Sequence, residues 1–249
     1  MNIEFKDHFS QQAADYTQYR PHYPQALFDY LATLSPSQQH AWDCATGNGQ
    51  AAYGLTEYFK HITATDASAK QIAHALQHPQ ITYVLTPAEH TPIKPHSVDL
   101  VVVAQALHWF HFEQFYAEVR RVLKPGGIIA VWSYQLLQLA PAIDELIMQF
   151  YSGPIDDFWP LERQFVDAHY QTLPFPFREI TAPDFQMEAW WDLDHLIGYL
   201  GTWSAVQRFK DHYHYDPVSV LKPQLRQLWG PSAQLQKVYW PLALRIGRL

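Results

Sequence analysis

One cysteine, Cys44, stands in a chain of 249 residues, so no intrachain disulfide can form and a reducing, cytoplasmic location is expected. Basic residues are also scarce. Lys and Arg number 17 against 24 Asp and Glu, for a formal charge of −7, and no run of them makes a stripe that could follow a phosphate backbone. Nucleic acid is therefore a poor partner. The first seven residues contain no apolar signal core, and the longest apolar stretch, 98–112, is interrupted by Asp99, Gln105 and His108. Neither a standard export signal nor a membrane span is expected. Repeats and low-complexity tracts are absent. The fourteen histidines are scattered, and His108 with His111, or His212 with His214, lack further ligands at metal spacing, so no metal site is predicted.

What is present is apolar and aromatic. Hydrophobic residues make up 48% and aromatics 15%, with charged residues at only 16%, a balance that suits a globular core with a concave site to line. Short β-rich runs alternate with helical stretches from about residue 42 to 134. Strands are expected at 41–45, 61–65, 81–85, 98–104 and 128–132, and helices at 50–59 and 112–123 and after Ser68, which with Gln71 has capping-box spacing. The fourth run, with Val98, Leu100, Val101, Val102 and Val103, suits a strand covered on both faces. This alternation predicts an α/β, Rossmann-like doubly wound sheet, mostly parallel, with right-handed crossovers.

Beyond Pro141 the pattern becomes helical, at 142–151, 162–173 and 193–211, with proline-rich turns between, and reads as cap insertions. Residues 238–246 alternate as a strand, expected to be antiparallel, and Pro241 within it predicts a bulge or an edge because proline lacks the ladder amide. One domain is expected over 1–249: an N-terminal lid segment at 1–30, a ligand-binding core at 38–140, a cap and substrate region at 141–235 and the last strand at 236–249.

The run Trp42-Asp43-Cys44-Ala45-Thr46-Gly47-Asn48-Gly49-Gln50 follows a strand and opens a helix, where glycine permits positive φ and the helix start offers free amides to a ligand. Gly47 to Ala52 also fits the dinucleotide pattern, with Asp66 near the usual distance for a ribose-binding acid. Asp43 argues against a pyrophosphate, since a carboxylate there suits the ammonium of a methionine moiety, directly or through water. Both ligand classes remain open on the turn alone.

With Asp66 after the second strand, Pro87-Ala88-Glu89 after the third, Asp99 through Trp109 at the fourth and Arg121-Val122-Leu123-Lys124-Pro125-Gly126-Gly127 before the fifth, the chain resembles the class I S-adenosylmethionine-dependent methyltransferases. It is most similar in pattern to their small-molecule group, which includes trans-aconitate methyltransferase. The resemblance implies methyl transfer to a small molecule, a carboxylate or a hydroxyl. It also implies that Asp43, Ala45, Gly47 and Gly49 surround the methionine part and that Asp66 binds the ribose. Ala88 and Glu89 would flank the adenine, with Gln105 and Ala106 near the ribose and sulfonium. Tyr16 and Arg20 belong to an aromatic-rich segment that in similar enzymes folds over the cofactor. The family more generally has glycine where this chain has Ala45 and Gln50, and an Ala45 forced to positive φ would cost about 1 kcal/mol.

His108, at the end of the fourth strand, is the candidate general base, needed only if the acceptor must lose a proton; a strand-capping or hydrogen-bonding role is the alternative. Trp109, Trp132, Tyr134, Tyr199 and Trp203 are candidate walls of an acceptor site. Two other functions fit the same residues: a nicotinamide-dependent oxidoreductase using the glycine turn, and a non-catalytic adenosylmethionine-binding module.

Overall fold

Residues 19–249 are described by the computed structural model. After helix α1 (Gln25–Leu34), five strands alternate with helices: β1 (His40–Cys44), α2 (Gln50–Leu55), β2 (His61–Asp66), α3 (Ala69–Ala73), β3 (Ile81–Leu85), β4 (Val98–Ala104), α4 (Phe112–Val122) and β5 (Leu123–Tyr134). The chain continues through α5 (Pro141–Tyr151), α6 (Arg163–Asp167), β6 (Arg178–Ile180), β7 (Gln186–Trp191), α7 (Leu193–Gly201), α8 (Ser204–Tyr213), α9 (Val218–Trp229) and β8 (Gln236–Arg248).

The strand order is β3-β2-β1-β4-β5-β8-β6, and β7 pairs with β8 off this path. Strands β1 to β5 are mutually parallel, whereas β8 runs antiparallel to β5, β6 and β7. The fold is thus the expected mostly parallel α/β sheet, and its order reverses between β1 and β4. Ligands of open α/β sheets lie outside the carboxyl ends of the strands at such a switch.

Period-two alternation divides the sheet between two cores. Val101 and Val103 of β4 pack with Ile129 and Val131 of β5 under α4, while Leu100 and Val102 pack with Ile128, Ala130 and Trp132 beneath α1 and α2. A third core, built from α5, α7, α8, α9, β7 and the first half of β8, includes Trp191, Tyr199, Trp203 and Trp240. Asp99 is the polar residue of β4. Its carboxylate accepts from Lys124 Nζ at 2.8 Å, from Ser37 Oγ at 2.7 Å and from the His40 amide at 3.0 Å, which ties the starts of β1, β4 and β5 together.

Several expectations are corrected. The helix predicted at 162–173 is only the short α6, after which His169 and Tyr170 take positive φ. The helix predicted at 193–211 breaks at Gly201 into α7 and α8. Helices α1 and α9 and strands β6 and β7 lacked a local signal; α9 even carries Pro223 inside it. Pro241 lies where β8 changes partner, pairing with Gln186 of β7 just before Leu242 pairs with Tyr134 of β5. A residue without an amide fits that crossing. The capping expectation at Ser68 holds on one side, since its Oγ accepts from the Gln71 amide at 3.3 Å. Among the described residues no helix is long and apolar enough to cross a membrane.

Candidate active site

The turn after β1 is built on three left-handed residues: Ala45 at φ 55°, Gly47 at 57° and Gly49 at 85°. Backbone bonds fasten it, from Thr46 N to Thr65 O at 2.9 Å and from Gly49 N to Thr46 O at 2.9 Å. Gly49 is required twice, because a Cβ there would also come within 2.3 Å of the Tyr83 hydroxyl. Asp43 lies beneath the turn, fully buried, and its Oδ2 accepts from Thr46 Oγ1 and from the Ala52 amide. Its Oδ1 is buried with no hydrogen-bond partner among the described residues.

Burial pushes the Asp43 carboxyl up to about 7, with the bonds from Thr46 and Ala52 opposing the rise and the charge of Asp66 adding to it. The folded chain therefore keeps this proton between about pH 4 and 7, where the unfolded chain has lost it. Stability from this group falls as pH rises through that window. Relative to Asp43→Asn, which keeps the accepted bonds and cannot ionise, the natural chain is expected to lose stability from about pH 4 to 7 and to level off above, as read by urea unfolding at several pH values. A difference that is flat with pH would contradict the raised value.

Asp66 ends β2. Its Oδ2 accepts from Gly47 N and its Oδ1 from Ser68 N, each at 2.8 Å, so one carboxylate joins the glycine turn to the start of α3. It lines a cavity of about 1270 Å³ at the carboxyl edge of the sheet, between Ala45, Gly47 and Ala51 on one side and Ala104, Gln105 and Ala106 on the other. Leu85, Pro87, Ala88, Phe110 and Phe112 give this cavity apolar lining. Beside it Glu89 accepts from the His111 amide at 2.9 Å, at the start of α4. Gln105 is left-handed at φ 60°; its amide donates to Trp132 O at 2.8 Å and its Oε1 accepts from Tyr134 N at 3.0 Å, so β5 holds the end of β4 in place.

A smaller chamber of about 90 Å³ adjoins the cavity, and Arg20, Gln105, His108, Trp109 and Tyr134 line both. Its other walls include Trp159, Arg163, Tyr199 and Trp203. Among the described residues its lining includes two guanidinium groups and no carboxylate. Arg20 Nη1 donates to the Tyr134 hydroxyl, and its Cζ lies 5.1 Å from the centre of the Tyr199 ring. Arg163 donates from Nε to Tyr151 Oη at 2.8 Å and to Asp167 Oδ1 at 3.1 Å, and its Cζ lies 5.0 Å from the centre of the Trp159 ring. Its two terminal amino groups make no hydrogen bond among the described residues.

A methyltransferase-domain family model matches residues 42–131, the span from β1 into β5. A candidate type II methyltransferase of Anaeromyxobacter dehalogenans, known as a solved structure, is 43% identical, with a TM-score of 0.88 over 92% of this chain and 98% of its own. The chain belongs to the class I S-adenosylmethionine-dependent methyltransferases. A candidate methyltransferase of Dictyostelium discoideum is 29% identical over 226 residues, which cover 89% of this chain and 86% of that protein. A Bacillus halodurans structure, at 18% identity and a TM-score of 0.50, shares the fold.

The residues of the methyltransferase fit its cofactor. The carboxylate of Asp66 at the cavity wall suits a diol, the apolar lining from Leu85, Pro87, Ala88, Phe110 and Phe112 suits an adenine face, and the left-handed turn lets backbone approach a ligand without a Cβ at Gly47. Arg20, Ala45, Gly47, Asp66, Ala88, Glu89, Gln105 and Ala106 all line the cavity, whereas Tyr16 lies outside the described residues. Two of the expected residues lie away from the cavity lining. Asp43 is sealed below the turn and Gly49 faces Tyr83, so neither lines the cavity; both shape the loop that does.

Of the expected acceptor residues, Trp109, Tyr134, Tyr199 and Trp203 line the chamber. Trp132 does not. It is fully buried in the core with Ile128 and Ala130, edge-on to Tyr23, on the same face of β5 as Tyr134 but two residues deeper in the strand. His108 lines both spaces, in surroundings that do not favour a general base. Burial, with the positive charge of Arg163 adding to it, pushes its imidazole down to about 3, too low to take a proton efficiently near neutral pH. Arg163 and Trp159 were missed, since an arginine four residues before Asp167 reads locally as an ordinary solvated pair.

The left-handed Ala45 gives a direct test of the turn. Ala45→Gly is expected to stabilise the methyltransferase by about 0.5–1 kcal/mol, a rise of roughly 1–4 °C in Tm, since relief of the Cβ clash outweighs the added chain entropy. A lowered Tm would mean that the backbone there is not strained.

Proposed function

We propose that the methyltransferase methylates a small organic carboxylate, held in the arginine-lined chamber with its reacting oxygen toward the cofactor cavity. The observation that carries this is the pairing of Arg20 and Arg163 around a chamber whose described lining includes no carboxylate. Guanidinium groups flanked by aromatic rings hold planar anions through forked hydrogen bonds, and their low hydration makes them suited to such enclosed sites. A volume of about 90 Å³ suits the anionic end of a small molecule, so neither nucleic acid nor a folded protein surface is the proposed partner. The lone, fully buried Cys44 supports a reducing compartment such as the cytoplasm.

S-adenosylmethionine, when bound, supplies a methyl group on a positively charged sulfur. The chain's own work is then to align and to keep water out. Arg20 and Arg163 anchor the anion, Trp109 and Tyr134 bound the passage between the two spaces, and Gln105 fixes the β4 end that faces both. Alignment of this kind can lower a barrier by about 7–11 kcal/mol. A carboxylate is already ionised at neutral pH, so no residue has to remove a proton.

The test is a panel of small mono- and dicarboxylic acids, phenols, alcohols and amines with radiolabelled cofactor. Transfer to carboxylic acids, released as volatile methanol on mild alkaline treatment, is expected. Transfer confined to phenols, alcohols or amines, or to none of the panel, would refute the proposal.

A further inference from the structure

We propose that Tyr170 locks His108 in the Nε2–H tautomer, and that His108 serves the acceptor as a hydrogen-bond donor at the junction of the two cavities. This deepens the carboxylate reading above and rests on it for the identity of the acceptor.

The argument starts from the hydroxyl of Tyr170. The residue is fully buried, and its Oη lies 2.8 Å from His108 Nδ1. The backbone amides of Leu107 and His108 also face that oxygen. A phenol has one proton to donate, and among the described residues Nδ1 is the acceptor within reach. Were Nδ1 to carry the imidazole proton, it would donate to the phenol oxygen and the phenol proton would be buried without an acceptor among the described residues, an arrangement that folded proteins avoid. The phenol therefore donates, Nδ1 accepts, and the ring proton is left on Nε2.

Neither partner changes state near neutral pH. Burial pushes the Tyr170 phenol far above its ordinary range against the opposing charge of Arg163, and the same burial keeps His108 neutral. The charged neighbours acting on the imidazole are Arg163, which lowers its basicity, and Glu162, which raises it.

The backbone supports a positioning role for Tyr170. His169 and Tyr170, with φ of 55° and 57°, are consecutive non-glycine residues in the left-handed region. They are held there by the bond from Tyr170 N to Phe165 O at 2.8 Å and by Arg245 Nη1, which donates to Tyr170 O at 2.9 Å. Surrounding structure thus maintains an unfavourable backbone that brings the phenol under the imidazole. The imidazole itself lies against the Trp109 ring, with centroids 4.7 Å apart, and lines both the cofactor cavity and the chamber. Its Nε2 makes no hydrogen bond among the described residues.

A donor at that point has a defined use. One oxygen of the acceptor carboxylate receives the Nε2–H bond while the other gives its electron pair to the methyl carbon. The carbon–sulfur bond breaks with its electrons left on sulfur, and an ester forms with no proton transferred. His108 orients the nucleophile; a basic nitrogen would have no proton to take.

The test separates donor from base. Glutamine at this position offers an amide N–H near the place of Nε2 and cannot act as a base, so His108→Gln is expected to keep kcat/KM within a few-fold. His108→Ala is expected to lose roughly 10- to 100-fold, the worth of a hydrogen bond to a charged group. Long-range proton–nitrogen NMR of the full chain with 15N-labelled histidine reads the tautomer without turnover. Nδ1 of His108 is expected to resonate as unprotonated and Nε2 as protonated, unchanged from about pH 5 to 8. Tyr170→Phe should release a mixture of tautomers and lower kcat/KM several-fold.

A protonated Nδ1, a titration of His108 inside that range, or a glutamine variant as inactive as the alanine one would overturn the proposal. The NMR readout stands even if a variant fails to fold. If only uncharged acceptors prove to be substrates, the carboxylate reading fails while the tautomer result is still decided by the spectrum.

Discussion

Asp66→Ala is expected to weaken binding of S-adenosylhomocysteine by at least about a hundredfold while leaving the chain folded. The carboxylate has two tasks. It faces the cavity where the ribose diol is assigned, and it holds Gly47 N and Ser68 N at 2.8 Å each. Hydrogen bonds to a charged group contribute about 1.5–3 kcal/mol apiece, so loss of two to a ligand, with loosening of the turn, exceeds the 2.7 kcal/mol of a hundredfold change. Folding is spared because the freed amides border a cavity that water can enter. Asp66→Asn is expected to fare little better, since one of its two terminal groups must present N–H to an amide that also donates. Calorimetric titration and a thermal melt of each variant give both numbers, and unaltered affinity would show that the ribose is bound elsewhere.

The second large effect is expected at Arg163. Arg163→Met should raise KM for a carboxylate acceptor by about a hundredfold and leave S-adenosylhomocysteine affinity within about twofold, because the guanidinium lines the chamber and not the larger cavity. The partner it abandons, Asp167, is 46% exposed and can hydrate, so stability should change little. Arg163→Lys keeps the charge but not the fork, and is expected to recover only part of the loss. Steady-state kinetics with the best acid of the panel decides the matter. An unchanged KM, or an equal loss of cofactor affinity, would remove Arg163 from acceptor recognition.

These two residues differ in how far they could be read from the chain. Asp66 follows a short β run and precedes a capping serine, all within a few residues, and its position relative to the glycine turn is set by the regular rise of one βαβ unit. Arg163 has no such local frame. Its place beside Trp109 and Tyr199 depends on a helix of five residues, two left-handed residues after it, and a cap packed from four separate helices. The aromatic candidates divide along the same line. Trp109, Tyr134, Tyr199 and Trp203 reach the chamber, while Trp132, on the same face of β5 as Tyr134 but two residues deeper, is sealed into the core with Ile128 and Ala130. The role of His108 depends on Tyr170, a contact across 62 positions that no spacing rule anticipates.

The amino-acid sequence by itself determined the alternating core, the glycine turn and the acid after the second strand, and a resemblance carried from Asp43 to Gly127 supplied the cofactor class. The first three depend on neighbours within about one βαβ unit: period-two burial, positive φ at glycine, the stop imposed by Pro and Gly. Tertiary structure alone decided that Trp132 is sealed in the core while Tyr134 reaches the chamber, that β7 and β6 exist as partners of β8, that Ala45 is left-handed, and that two arginines from distant segments share one chamber. Those outcomes depend on packing between elements far apart in the chain, where burial and hydrogen-bond satisfaction outweigh local preference.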